Sequence, residues 1–258
     1  MIAEFSLLLT LGISSMWCLM PRSKVTAGFF RIQMLLSMGL SMLTILSLGH
    51  LTVASGGRLS GDLLLAARIA SGFGLFCGYI GSIVWTLDRR FAGTIAMMGI
   101  ALSTLVSLIC SRGGISALAS QAELFHLTSS LATAGVLGGS VTGMLLGHWY
   151  LTAPTMSIDP LKTLSLYFGI AVVFRLAVSA LGCAIAGQSL HGGVQWTWFS
   201  LRWLAGIIGP MIIAVMALQI LKYRNTQAAT GVLFAGVILS FIGEMSAALL
   251  YSELHVPL

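Results

Sequence analysis

Eight stretches of this chain run for about 18 residues or more with almost no charge. They cover residues 3–20, 27–54, 63–86, 91–111, 122–151, 161–187, 197–221 and 226–251. A run of that length and apolarity matches the hydrocarbon thickness of a bilayer. Inside lipid every backbone N–H and C=O must be satisfied within the segment, so the runs are helices. The expected fold is all-α, a polytopic bundle of eight transmembrane helices. It forms one integral membrane domain over residues 1–258. Composition excludes the alternative: 57% of residues are hydrophobic and 8% charged, against about 25% charged in soluble domains.

The few charges orient the bundle. Four connections, "PRSK", "DRR", "TMSIDP" and "KYRNT", are short. With residues close by, they carry Arg22, Lys24, Arg31, Arg89, Arg90, Lys162, Lys222 and Arg224. The opposite connections are longer and glycine-rich, with only Arg58 and Arg112 as cations. The positive-inside rule puts the first set in the cytoplasm and both termini outside. A net charge of +6 scattered over helix ends is an orientation signal, not a nucleic-acid surface. Arg22 and Lys24 follow the first apolar run rather than precede it, the reverse of a cleavable signal peptide. The first helix is therefore expected to be retained. The expected location is a bacterial inner membrane.

Small residues mark helix contacts. Gly139, Gly143 and Gly147 follow a GxxxGxxxG spacing, and Gly74 and Gly78 form a second pair. Such faces let helices approach closely in lipid. Gly209-Pro210 is expected to kink the seventh span. "HWY" at 148–150 reads as an interfacial anchor. Cys18, Cys77, Cys110 and Cys183 sit singly in apolar runs and read as small buried hydrophobes.

With the orientation set, polar residues acquire a depth. His50, Arg68, Glu123, His126, Arg202 and Glu244 all fall in the outer half, on five different helices. Glu123 and His126 are three apart and share a face. Ionisable groups within a bilayer are costly and normally pair or face a cavity. Two readings follow for Glu244: an ion pair with Arg68 or Arg202 that holds helices together, or one wall of a polar pocket. Arg175, near mid-helix in "AVVFRLAVSA", stands apart from the outer group and is expected to face the bundle interior. No Walker loop, HExxH, GxSxG or paired-cysteine motif is present, and no metal site is expected. His126 and His148, 22 residues apart on one helix, are separated by about 33 Å. His50 and His126, both near the outer face, could hold one haem b between facing helices.

The closing helix carries Gly243-Glu244 and then Tyr251, and His50-Leu51 ends the second. With eight spans and both ends outside, this pattern resembles the membrane anchor subunits of the dimethyl sulfoxide reductase and polysulfide reductase type. The chain departs from that family after His50, where it reads "HLTVASGG" instead of a Gly- and Pro-containing turn, and in lacking an Arg after the closing Gly-Glu. The resemblance implies quinol binding near the outer face. It also implies electron transfer to an iron–sulfur subunit and a molybdenum enzyme beyond it. His50 would handle protons at the quinone, and Glu244 would be a buried acid of the last helix.

The outer residues suit that chemistry. Quinol oxidation releases two protons with two electrons. His50 or His126 could accept one proton near neutral pH. Glu123 or Glu244 could carry the other outward, and Arg68 or Arg202 could hydrogen-bond a quinone oxygen. The expected function is therefore the quinone-interacting membrane subunit of a respiratory electron-transfer complex. Its substrate would be menaquinone or ubiquinone, and its partners iron–sulfur, molybdenum or cytochrome subunits. The alternatives are an ion- or proton-coupled transporter using the same buried charges, a haem-b membrane subunit, and a purely structural subunit.

Overall fold

The computed structural model describes residues 2–50, 60–153, 155–186 and 192–254. Arg58 and Leu51 lie outside them, as does the side chain of His50. The helices are α1 (Ile2–Leu19), α2 (Ala27–Ser47), α3 (Gly61–Thr86), α4 (Arg90–Ser111), α5 (Gln121–Trp149), α6 (Asp159–Ala186), α7 (Gly193–Trp203), α8 (Gly209–Lys222) and α9 (Thr226–Leu254). A π-helical turn, Leu204–Ile208, joins α7 to α8, so Gly193–Lys222 is one apolar span. Among the described residues, eight segments are thus long and apolar enough to cross a membrane. The protein is an all-α, multi-pass membrane bundle. No strand occurs among the described residues. The helices divide into two compact units, Met1–Leu127 and Thr128–Leu258.

In the first unit α1 packs on α2 and α4, and α3 packs on the same two helices. The glue between them is polar. Ser6 and Thr44 hydroxyls meet at 2.8 Å, and Ser71 and Ser107 at 2.9 Å. Ser107 also donates to the Ala67 carbonyl at 3.0 Å. Lipid supplies no hydrophobic drive between helices, so such bonds and close packing hold them. Gly74 and Gly78 are contact points: a β-carbon there would come 2.8 Å from Ser103 Oγ and 3.1 Å from the Met34 carbonyl. The short connections close tightly. Asp88, at φ 52°, turns α3 into α4. Arg90 Nη1 donates to the carbonyls of Arg22, Ser23 and Val25, binding the α1–α2 connection to the start of α4. Outward, α3 exposes Phe73, Phe76, Tyr79, Ile80 and Ile83, a surface suited to acyl chains rather than water.

In the second unit α8 packs on α6 and α9, and α7 on α9. The glycine triplet of α5 is again a contact face. β-Carbons would meet the Phe168 backbone at 3.1 Å from Gly139 and Thr230 Oγ1 at 2.5 Å from Gly147. Arg224, at φ 56°, turns α8 into α9, and Asn225 Oδ1 accepts from the Ala228 amide at 2.9 Å. Tyr150 departs from the interfacial-anchor expectation. It is buried, and its hydroxyl donates to the Ser157 carbonyl. Burial, reinforced by Asp159, pushes the phenol above its usual range. Tyr150 therefore remains a donor that fastens the α5–α6 connection.

The irregularity expected at Gly209-Pro210 lies one turn earlier. Proline has no N–H for the carbonyl four residues back, and its ring crowds that carbonyl. Widening the preceding turn relieves both effects: the Gly209 amide donates to the Leu204 carbonyl, five residues back.

Candidate functional site

The second unit buries three charged side chains together. Glu244 on α9 is 8% exposed, Arg175 on α6 is 3%, and Arg202 on α7 is 0%. Arg202 Nη1 donates to Glu244 Oε1 at 2.8 Å. Arg175 spans the carboxylate from the other side, with Nε to Oε1 and Nη2 to Oε2, each 3.4 Å. Thr133 Oγ1 on α5 donates to Oε2 at 2.9 Å. Each carboxylate oxygen thus accepts twice, which uses the roughly four acceptor positions of an ionised carboxylate. The arginines are held further by hydroxyls: Arg175 Nη1 to Ser129 Oγ at 2.6 Å and Arg202 Nη2 to Ser179 Oγ at 3.1 Å.

Two glycines bring the charges into register. Gly206, in the π turn, faces Gly243 of α9. A β-carbon on Gly243 would stand 2.0 Å from Gly206 Cα, and one on Gly206 would stand 2.8 Å from Gly243 Cα. The two backbones therefore touch one residue from Glu244 and four from Arg202. Only glycine on both sides permits this crossing. π turns of this kind concentrate at functional sites.

Of the six residues expected to line an outer pocket, Arg202 and Glu244 meet in this cluster. The other four belong to the first unit. Arg68 is exposed on α3, with its guanidinium lying over Gly49. Glu123 and His126 are half-buried on the first turns of α5. His50 closes the short 3-10 turn Leu48–His50. Nearby, Arg112 Nη2 bonds Glu4 Oε1 at 2.6 Å, and His126 lies within electrostatic range of Arg112, Glu123 and Glu4. Leu7, Leu48 and Ala67 form the buried floor beneath this end of the unit.

Arg175 is the residue that the grouping by outer half leaves out. It does face inward, as its mid-helix position suggests. Counted at 1.5 Å per residue from the helix end, Arg175, Arg202, Thr133 and Glu244 all lie about 14 to 18 Å deep. The expected spans, opening at 197 and closing at 251, put Arg202 and Glu244 only about 8 and 11 Å deep, so this common depth emerges only with the observed helix ends.

No protein-family model, curated protein or solved structure matches this chain.

Proposed function

We propose that this protein is a quinone- or quinol-interacting membrane subunit of a multi-subunit electron-transfer complex. The supporting observation is the end of the first unit where His126, Glu123, Glu4 and Arg112 gather. The charge bias of the connections directs this end outward. The groups there are half-buried or exposed, so protons taken from a quinol can leave to bulk water. His126 serves as proton acceptor and Glu123 as the outward carrier. Arg68, with the turn at His50 beside it, offers donors to a quinone oxygen. Electrons leave through partner redox subunits on this reading.

Glu244 and Arg202 take a different role from the one their depth suggests. The carboxylate already accepts four hydrogen bonds. It has no acceptor position left for a quinol hydroxyl unless a partner lets go. The pair therefore holds the second unit together rather than carrying protons.

One observation favours transport as a second reading. The π turn interrupts a span beside buried charges, the kind of broken helix on which transporters build ion sites.

Purification from native membranes in mild detergent, with mass spectrometry of what accompanies the protein, tests the choice. Iron–sulfur, molybdenum or cytochrome subunits at fixed stoichiometry support the quinone reading. A protein that purifies alone, with no quinol oxidation in membranes, sinks it. Within such a complex, His126→Gln is expected to lower quinol turnover about 100-fold or more, as loss of a general base does, with assembly unchanged.

A further inference from the structure

We infer that the Arg175–Glu244–Arg202 cluster is a binding site for one small monovalent anion. Two guanidiniums and one carboxylate leave an excess of one positive charge, and none of the three side chains is more than 8% exposed. No other acidic side chain of the second unit is near. The second unit has only two more acidic residues. Glu253 lies nine residues beyond Glu244 on α9, about 14 Å along the axis, where it accepts from Gln195 at the surface. Asp159 begins α6, about 24 Å from Arg175. An uncompensated charge inside the membrane is costly, and such groups ordinarily find a counter-charge.

A second observation points the same way. Arg202 is wholly buried, yet its Nε–H has no hydrogen-bond partner. The Glu244 carboxylate cannot serve it, since both its oxygens already accept two bonds each. The cluster lacks one negative charge, and the missing acceptor falls on one of its two guanidiniums. An anion there supplies both. The site differs in place and chemistry from the proton-handling end of the first unit, and it stands whether or not the quinone reading does.

The test is halide titration of the purified protein in lipid nanodiscs. Chloride or bromide replaces gluconate at constant ionic strength, and thermal unfolding is followed. A bound anion stabilises the folded state in a saturable way. The expected result is a melting temperature that rises and levels off with halide, and that does not respond in Arg202→Gln, where the excess charge is gone. A wild-type protein with no saturable response overturns the inference. So does an equal response in Arg202→Gln, which would place the anion elsewhere. Should Arg202→Gln fail to fold, Glu244→Gln decides. It raises the excess to two, so half-saturation should fall by about tenfold or more, given the Coulomb attraction of an added unit charge at contact distance. A purely structural ion pair predicts no such tightening, and an unchanged half-saturation in Glu244→Gln overturns the inference.

Discussion

The two units handle charge in opposite ways. At one end of the first, Arg112 and Glu4 meet with their side chains 17% and 42% exposed, beside half-buried Glu123 and His126. In the second, Arg175, Arg202 and Glu244 are sealed, and every acceptor position of the carboxylate is taken. The first arrangement can exchange protons with its surroundings at little structural cost. The second releases no proton carrier without breaking an ion pair. The same residue types are therefore open to their surroundings in one unit and locked into a closed ion cluster in the other, and exposure separates them.

The largest test of this contrast is geometric. Gly243→Ala puts a methyl group 2.0 Å from backbone that cannot rotate away. The α9 crossing must open, and we expect a loss of about 3 kcal/mol or more, at the upper end for overpacking. Gly231→Ala on the same helix meets nothing within 4 Å, so it should leave the unfolding midpoint in detergent unchanged. If both variants melt alike, the Gly206–Gly243 contact does not hold the unit.

Glu244→Ala comes next. It strands two buried guanidiniums, and breaking a buried pair in this way costs about 3 to 5 kcal/mol. Denaturant titration of the reconstituted protein reads the loss. A cost below about 1 kcal/mol would mean that water reaches the cluster, and the contrast between the units would fail.

Thr133→Val removes a single donor of similar shape. The expected loss is about 1 to 2 kcal/mol, since the hydrogen bond is to a charged acceptor. The smallest effect belongs to the first unit. Glu4→Gln should change stability by less than about 1 kcal/mol, and added salt should erase even that. A salt-insensitive loss as large as that of Glu244→Ala would show that the Glu4–Arg112 pair is sealed as well.

Much of the fold was legible in the sequence because lipid allows so few solutions. Each expected span overlies a membrane-length helical segment, since hydrocarbon thickness sets the length; the span 27–54 runs past the end of α2 at Ser47, and its residues 51–54 lie outside the described ones. The glycine contact faces were legible for a related reason: spacing alone puts Gly139, Gly143 and Gly147 on one stripe. The clustering of charges was not. Glu244 meets Arg202 across 42 residues of chain and Arg175 across 69. Which helices neighbour each other is set by packing, and spacing along the chain does not encode it. Arg68 and Arg202 looked equivalent as partners for Glu244; Arg202 is the one that belongs to the same unit and bonds it. Tyr150 looked like a surface aromatic, because the carbonyl it caps lies seven residues further on.

The wide turn at Leu204–Ile208 makes α7–α8 a helix with one residue too many. Every position is about 100° of rotation from its neighbour, so a surplus residue shifts the azimuth of everything on one side of it. Arg202 aims at Glu244 while Pro210, Ile213 and Ala217 still bury because the two halves are out of phase. Deleting Ala205 would restore ordinary winding and swing Arg202 away from its acid by about 100°. A span that tolerates many side-chain exchanges on its lipid face should therefore be intolerant of a change in length at this one place.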